Sequence, residues 1–208
     1  MKTVQYKLIE LFILFAIAPI CFALDFPIWL KMGVGLLGFT YIIFVLLKIE
    51  NNTFKINKYL NWKHFWKLTF IQLICIAIIT SVYVQIFDAK NLFFMPLNKP
   101  LVWMAILFIY SVFSVYPQEL IFRTFFFQRY SDLFKNQTLF ILVNAALFSL
   151  AHLFFRNTLV MFLTFIGGIL FALTFKKTKS TILVSIEHAI YGCWLFTVGM
   201  GEMLGFPT

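Results

Sequence analysis

Apolar residues run along this chain in long stretches near 8–24, 28–47, 68–87, 101–128, 138–155, 157–175 and 181–200, each closed by charged or turn-forming residues. A helix of about 20 apolar residues crosses the hydrocarbon core of a bilayer. The pattern therefore predicts an all-α transmembrane bundle of about seven spans, and the 208 residues leave no room for a separate soluble domain. No internal repeat or Pro/Ser-rich linker divides the chain, so residues 1–208 read as a single membrane domain. The first stretch follows Lys2 and Lys7 and has small residues between Ala18 and Ala23, as a secretion signal would. The stretches behind it favour a retained first span.

Composition agrees. The chain is 62% apolar, 20% aromatic and 12% charged, with a mean hydropathy of +0.93. Soluble domains are about 45–50% apolar and about 25% charged. A soluble globular domain, a disordered chain and a nucleic-acid binder are excluded on these numbers. The net charge of +9 has another use, because lysine and arginine collect in cytoplasmic loops. With the N-terminus inside, twelve basic residues fall in cytoplasmic segments: Lys2, Lys7, Lys48, Lys55, Lys58, Lys63, Lys67, Arg129, Lys135, Lys176, Lys177 and Lys179. Only Lys31, Lys90, Lys99 and Arg156 fall outside, and Arg123 lies within a span. The loop 48–67, with its lysines and with Trp62 and Trp66, reads as a segment lying along lipid headgroups. Cys21, Cys75 and Cys193 are far apart and form no CxxC pair, so they read as packing residues. Gly167 and Gly168 read as sites of close helix packing.

A charged residue at mid-span costs about 2.5–3.5 kcal/mol on insertion scales, so each one needs a reason. The group here comprises Gln118, Glu119 and Arg123 in the fourth span, Asn144 and His152 in the fifth, and Glu187 and His188 in the seventh. Glu10 and Asp25, near the ends of the first span, are expected to meet water. Glu119 and Arg123 are spaced for an ion pair along one helical face. At about 1.5 Å per residue, Glu119 lies about 15 Å, His152 about 21 Å and His188 about 12 Å from the cytoplasmic ends of their spans. Asn144, Phe148 and His152 form one stripe, and Thr181, Ser185, His188 and Gly192 another. Gly192 is expected to leave space beside His188. Pro117 removes a backbone donor and is expected to kink the fourth span.

A carboxylate and an imidazole in a poorly hydrated site make a general-base arrangement, in which a water held by Glu119 and His152 attacks a carbonyl. A further polar group such as His188 would steady the oxyanion. Neither GxSxG nor HExxH is present, so the serine-hydrolase and zincin templates fail. A divalent metal on Glu119, His152 and His188 stays open.

Gln118-Glu119-Leu-Ile-Phe-Arg123, Phe148-Ser-Leu-Ala-His152 and His188-Ala-Ile-Tyr-Gly192 resemble, in order, the EExxxR, FxxxH and HxxxN motifs of the type II CAAX prenyl-protease and bacteriocin-processing (CPBP) family. The resemblance covers about residues 100–200. It implies an intramembrane glutamate endopeptidase, in which the first glutamate and the FxxxH histidine activate water while the last histidine and asparagine stabilise the oxyanion; the sequence itself carries no cofactor motif. The resemblance also implies a multi-pass protein of a prokaryotic plasma membrane, acting on a membrane-associated peptide or protein, and suggests self-immunity roles. Gln118 replaces the first glutamate, and an amide cannot act as a base. Gly192 replaces the asparagine. Activity then requires Glu119, or failing it Glu187, to take the base role. The alternatives are a catalytically impaired relative that binds a peptide or partner in the membrane, and a proton-coupled transporter using Glu119 and Glu187.

Overall fold

The computed structural model describes residues 3–52 and 60–205. Among these residues all regular structure is helical, and seven helices are long and apolar enough to cross a membrane: Val4–Ala23, Ile28–Ile49, Trp62–Phe87, Pro100–Leu133, Gln137–Phe155, Thr158–Thr178 and Thr181–Val198. These are called the first to seventh spans. Asparagines start three of them. The Asn61 side chain accepts from His64 N–H, Asn136 from Thr138 and Leu139, and Asn157 from Leu159 and Val160, which satisfies donors that a helix N-terminus leaves open.

Large side chains such as Leu36, Ile79 and Phe113 are exposed. Outward apolar faces of this kind suit contact with lipid, where burying them against protein brings no hydrophobic gain.

The pattern of apolar residues needs two corrections. Asn61 caps the third span, so Trp62, Lys63, Trp66 and Lys67 are helical and do not belong to a headgroup loop. Lys2, Lys55 and Lys58 lie outside the described residues. The fourth span runs on past 128 to Leu133, carrying Arg129 into a buried position.

Two compact units emerge, Met1–Lys55 with Gln118–Thr181 and Ile56–Pro117 with Ile182–Thr208. In the first, Phe15 is the aromatic hub. Phe122, Phe126 and Tyr130 meet its ring edge-on at 5.1–5.9 Å, and Phe125 lies parallel at 6.3 Å. The fifth and sixth spans touch at Gly168, where a Cβ would come 2.9 Å from Ala145 Cα. Glycine therefore sets that backbone approach, as small residues do between membrane helices.

Glu10 and Arg129 were expected near water, yet both are buried here because they pair with each other. Arg129 donates from Nε and Nη2 to Glu10 and from Nη1 to Glu50. Tyr130 and Tyr41 also donate to Glu10.

In the second unit, the third and seventh spans are joined by Trp194 Nε1–H donating to Thr80 Oγ1 at 2.9 Å. Trp103 on the fourth span donates to Thr197 Oγ1 at 3.1 Å. Gly199 has φ +111°, and a Cβ there would stand 2.2 Å from the Asn91 carbonyl oxygen, so the turn after the seventh span requires glycine.

Candidate functional site

In the first unit the polar residues are organised by Arg123. Glu119 and Arg123 lie one turn apart on the fourth span, both with no exposure, and Arg123 Nε stands 3.3 Å from Glu119 Oε2. The ion pair predicted from their spacing is formed. Arg123 Nη1 donates to Asn144 Oδ1 at 2.9 Å, and Asn144 Nδ2 returns a bond to the Phe122 carbonyl at 2.8 Å. Arg123 Nη2 reaches the Gly168 carbonyl at 3.4 Å. The guanidinium carbon lies 4.7 Å from the Phe148 ring centre and 5.8 Å from that of Phe171. One charge thus holds the fourth, fifth and sixth spans together, and the rings supply a face that attracts a cation.

His152 stands at the end of that arrangement. The regular helix of the fifth span ends at Leu150, and a tight turn at Leu153–Phe155 follows. His152 Nδ1 is 2.8 Å from the Phe148 carbonyl oxygen. A carbonyl can only accept, so Nδ1 carries the hydrogen and, in the neutral ring, Nε2 is the acceptor. The imidazole lies 4.8 Å from the Phe148 ring and 6.0 Å from the nearly parallel Phe155 ring. It remains half-buried. Phe148 therefore has two tasks, its ring under Arg123 and its carbonyl on His152. The turn after His152 is tied down by Arg156, which bonds to the Ala23 carbonyl and to Asp25. By their places in their spans, Glu119 and His152 lie about 21 and about 22 Å from the helix ends at Leu133 and Gln137.

Helix winding around Gln118 departs from regularity. The chain is π-helical over Tyr110–Val115 and again over Leu120–Phe125, with one α-turn, Tyr116–Glu119, between them. A wider turn before Pro117 accommodates its missing donor and ring. Gln118 is half-buried and Glu119 fully so.

In the second unit, Glu187 and His188 face different neighbours. Glu187 Oε1 accepts from the Tyr191 hydroxyl at 3.1 Å, and that hydroxyl is also 2.8 Å from Gln72 Oε1 and 3.3 Å from the Thr69 carbonyl. This links Glu187 to the third span. His188 Nε2 lies 3.1 Å from the Tyr110 hydroxyl of the fourth span. The space expected at Gly192 is occupied, because a Cβ there would lie 2.0 Å from the Tyr110 hydroxyl oxygen. Motif reasoning passed over Tyr110, Tyr191 and Gln72. The one signal for Tyr110 was the missing side chain at 192, whose volume some other residue had to fill. Among the described residues no three of His, Cys, Asp and Glu converge as metal ligands would.

Residues 100–194 match the family model described as type II CAAX prenyl endopeptidase Rce1-like. This stretch is similar to the Rce1-like family. No curated protein and no solved structure matches the chain. The Rce1-like family is a family of proteases, and its matched range contains all three motifs singled out in the sequence. It extends from the start of the fourth span into the seventh, so the first three spans lie outside it.

Proposed function

We propose that the chain is an intramembrane endopeptidase that hydrolyses a peptide bond of a membrane-associated substrate, a prenylated CAAX tail or a leader peptide, near the cytoplasmic face. The observation that carries this reading is the Nδ1–H to Phe148 carbonyl bond of His152. It fixes the tautomer in which Nε2 can take a proton from water. The resulting hydroxide oxygen bonds to the scissile carbonyl carbon, and the carbonyl oxygen becomes an oxyanion. Collapse breaks the C–N bond, and the proton on His152 passes to the departing amine. By the order of the motifs, His188 is the group that would steady the oxyanion.

Glu119 is sealed from solvent and paired with Arg123. Its role in this reading is to hold Arg123, and through it Asn144 and the helix that presents His152. Gln118 would orient the attacking water, a task open to an amide. A divalent metal is not needed for any of these steps.

The test is cleavage of a farnesylated CAAX peptide, and separately of a leader peptide, by the purified chain in proteoliposomes. His152→Ala should lower turnover by about 10²–10⁴-fold. Equal cleavage by that variant rejects the mechanism.

A second reading, favoured by Gln118 in place of the motif glutamate, is an immunity-type protein that binds a membrane peptide or partner without cutting it. Complementation of a deletion strain by a Glu119→Gln, His152→Ala double variant would establish that reading against the first.

A further inference from the structure

Position 192 lacks the side chain that the HxxxN pattern calls for, and the fourth span fills the place. A Cβ on Gly192 would stand 2.0 Å from the Tyr110 hydroxyl oxygen and 2.4 Å from its Cε1 and Cζ atoms. No larger residue fits at 192 while Tyr110 keeps its position. The residue one turn beyond His188 on the same helix would project its side chain into this region. Tyr110 brings a hydroxyl there instead, 3.1 Å from His188 Nε2.

We infer that the Tyr110 hydroxyl supplies an oxyanion hydrogen bond with His188 behind it, replacing from another helix the donor that Gly192 cannot provide. This rests on the peptidase reading above and names a residue that the three motifs do not contain.

The chemistry suits the role. A phenol hydroxyl offers one O–H donor. Its bond to an oxyanion is of the short, charge-assisted kind. A hydroxyl accepts and donates at once. With His188 Nε2–H donating to Tyr110 Oη, the phenol hydrogen can turn to the substrate oxygen, and each bond of such a chain polarises the next. The ring is also well fixed. It meets the His188 ring edge-on at 6.1 Å and the Phe196 ring at 4.8 Å, and it packs on the cluster of Met95, Ile106 and Phe196. A donor held in this way needs little reorganisation as charge develops. The stripe has a further polar feature. Ser185, one turn before His188, is buried, and its hydroxyl has no hydrogen-bond partner among the described residues.

The experiment compares the full chain with Tyr110→Phe in proteoliposomes on the farnesylated CAAX peptide. Phenylalanine keeps the ring and removes only the donor. We expect kcat to fall about 10²–10³-fold, with KM and the thermal midpoint almost unchanged, a split that a purely structural role would not give. Gly192→Asn alone should lose activity through the clash. Combined with Tyr110→Ala, it should recover activity relative to Tyr110→Ala alone, and no recovery would overturn the equivalence of the two positions. If the wild type cleaves and Tyr110→Phe cleaves as fast, the inference fails while the peptidase reading stands. If the wild type does not cleave, binding of a phosphinic pseudopeptide, whose charged tetrahedral centre mimics the oxyanion, is compared with binding of the matching amide peptide. A preference for the phosphinate that Tyr110→Phe abolishes supports the donor even as the peptidase reading falls. No preference, or one that survives the substitution, overturns the inference.

Discussion

Arg123 and Arg129 lie on the same helix, and both are fully buried, yet they are held in opposite ways. Arg129 receives carboxylates from other parts of the chain, Glu10 of the first span and Glu50 just after the second, at 2.7 and 2.8 Å. Two tyrosines add their hydroxyls to Glu10. Arg123 pairs with Glu119 of its own helix, at the longer distance of 3.3 Å. It also donates to neutral acceptors, the Asn144 amide and the Phe122 and Gly168 carbonyls. A tight cluster of charges drawn from separate helices fastens the fold. The looser, mostly neutral arrangement around Arg123 positions the segment that ends in His152.

The comparison breaks most severely at Arg129. Arg129→Met leaves the buried Glu10 and the half-buried Glu50 without the Arg129 cation, and removing one partner of a buried pair costs about 3–5 kcal/mol. Thermal unfolding of the detergent-solubilised chain should show this as a large fall in midpoint, or the variant should fail to accumulate. A loss below about 1 kcal/mol, the scale of an exposed pair, would contradict the contrast between the two arginines.

Glu119→Gln is next in size and decides between two roles for the carboxylate. It removes the Glu119 charge from beside Arg123, so stability should fall, though less than for Arg129→Met, because Asn144, Gly168 and the Phe148 ring still hold the guanidinium. Turnover measured on the folded fraction should fall less than 10-fold if Glu119 is a scaffold. A loss of about 10²-fold or more with the fold intact would make Glu119 the base. The companion Gln118→Glu should raise turnover, since it places a carboxylate where the motif has one.

The same two regions show what could be read from the sequence. The spans were legible because apolar stretches of bilayer length leave little choice, and the ion pair of Glu119 with Arg123 was legible because it is local, one helical turn. The Arg129 cluster was hidden. Its partners are Glu10 and Glu50, far away in the chain, and each looks like an ordinary end-of-span residue. Tyr110 was hidden for a related reason. A tyrosine in an apolar run has no periodicity to betray it, and its partner His188 comes from another span. Motifs report residues within a few positions of each other, whereas contacts between helices depend on packing that no short pattern encodes.

Phe148→Leu offers a smaller and more selective test. It removes the ring beneath Arg123 and keeps the backbone carbonyl that receives His152 Nδ1–H. Stability should fall by about 2 kcal/mol or somewhat more, from the lost cation–π contact and the smaller side chain. The pH dependence of turnover should keep its shape, because the tautomer of His152 is set by the carbonyl. A changed profile would show that the ring itself tunes the imidazole.

Tyr130→Phe should have the smallest effect, and it tests whether the Arg129 cluster acts as one unit. The hydroxyl gives Glu10 Oε2 a bond of 3.0 Å in addition to the 2.7 Å bond from Arg129 Nε. Because that oxygen keeps its cation, the substitution should cost only about 1 kcal/mol. In an Arg129→Met background the carboxylate has lost its charge partner, and the tyrosine becomes more important to it. The second substitution should then cost more than it does alone, by at least the 0.5 kcal/mol at which contacting residues depart from additivity. Additive losses would mean that Tyr130 and Arg129 hold Glu10 independently. The distinction between a cooperative fastening of helices and a set of separate hydrogen bonds rests on that coupling.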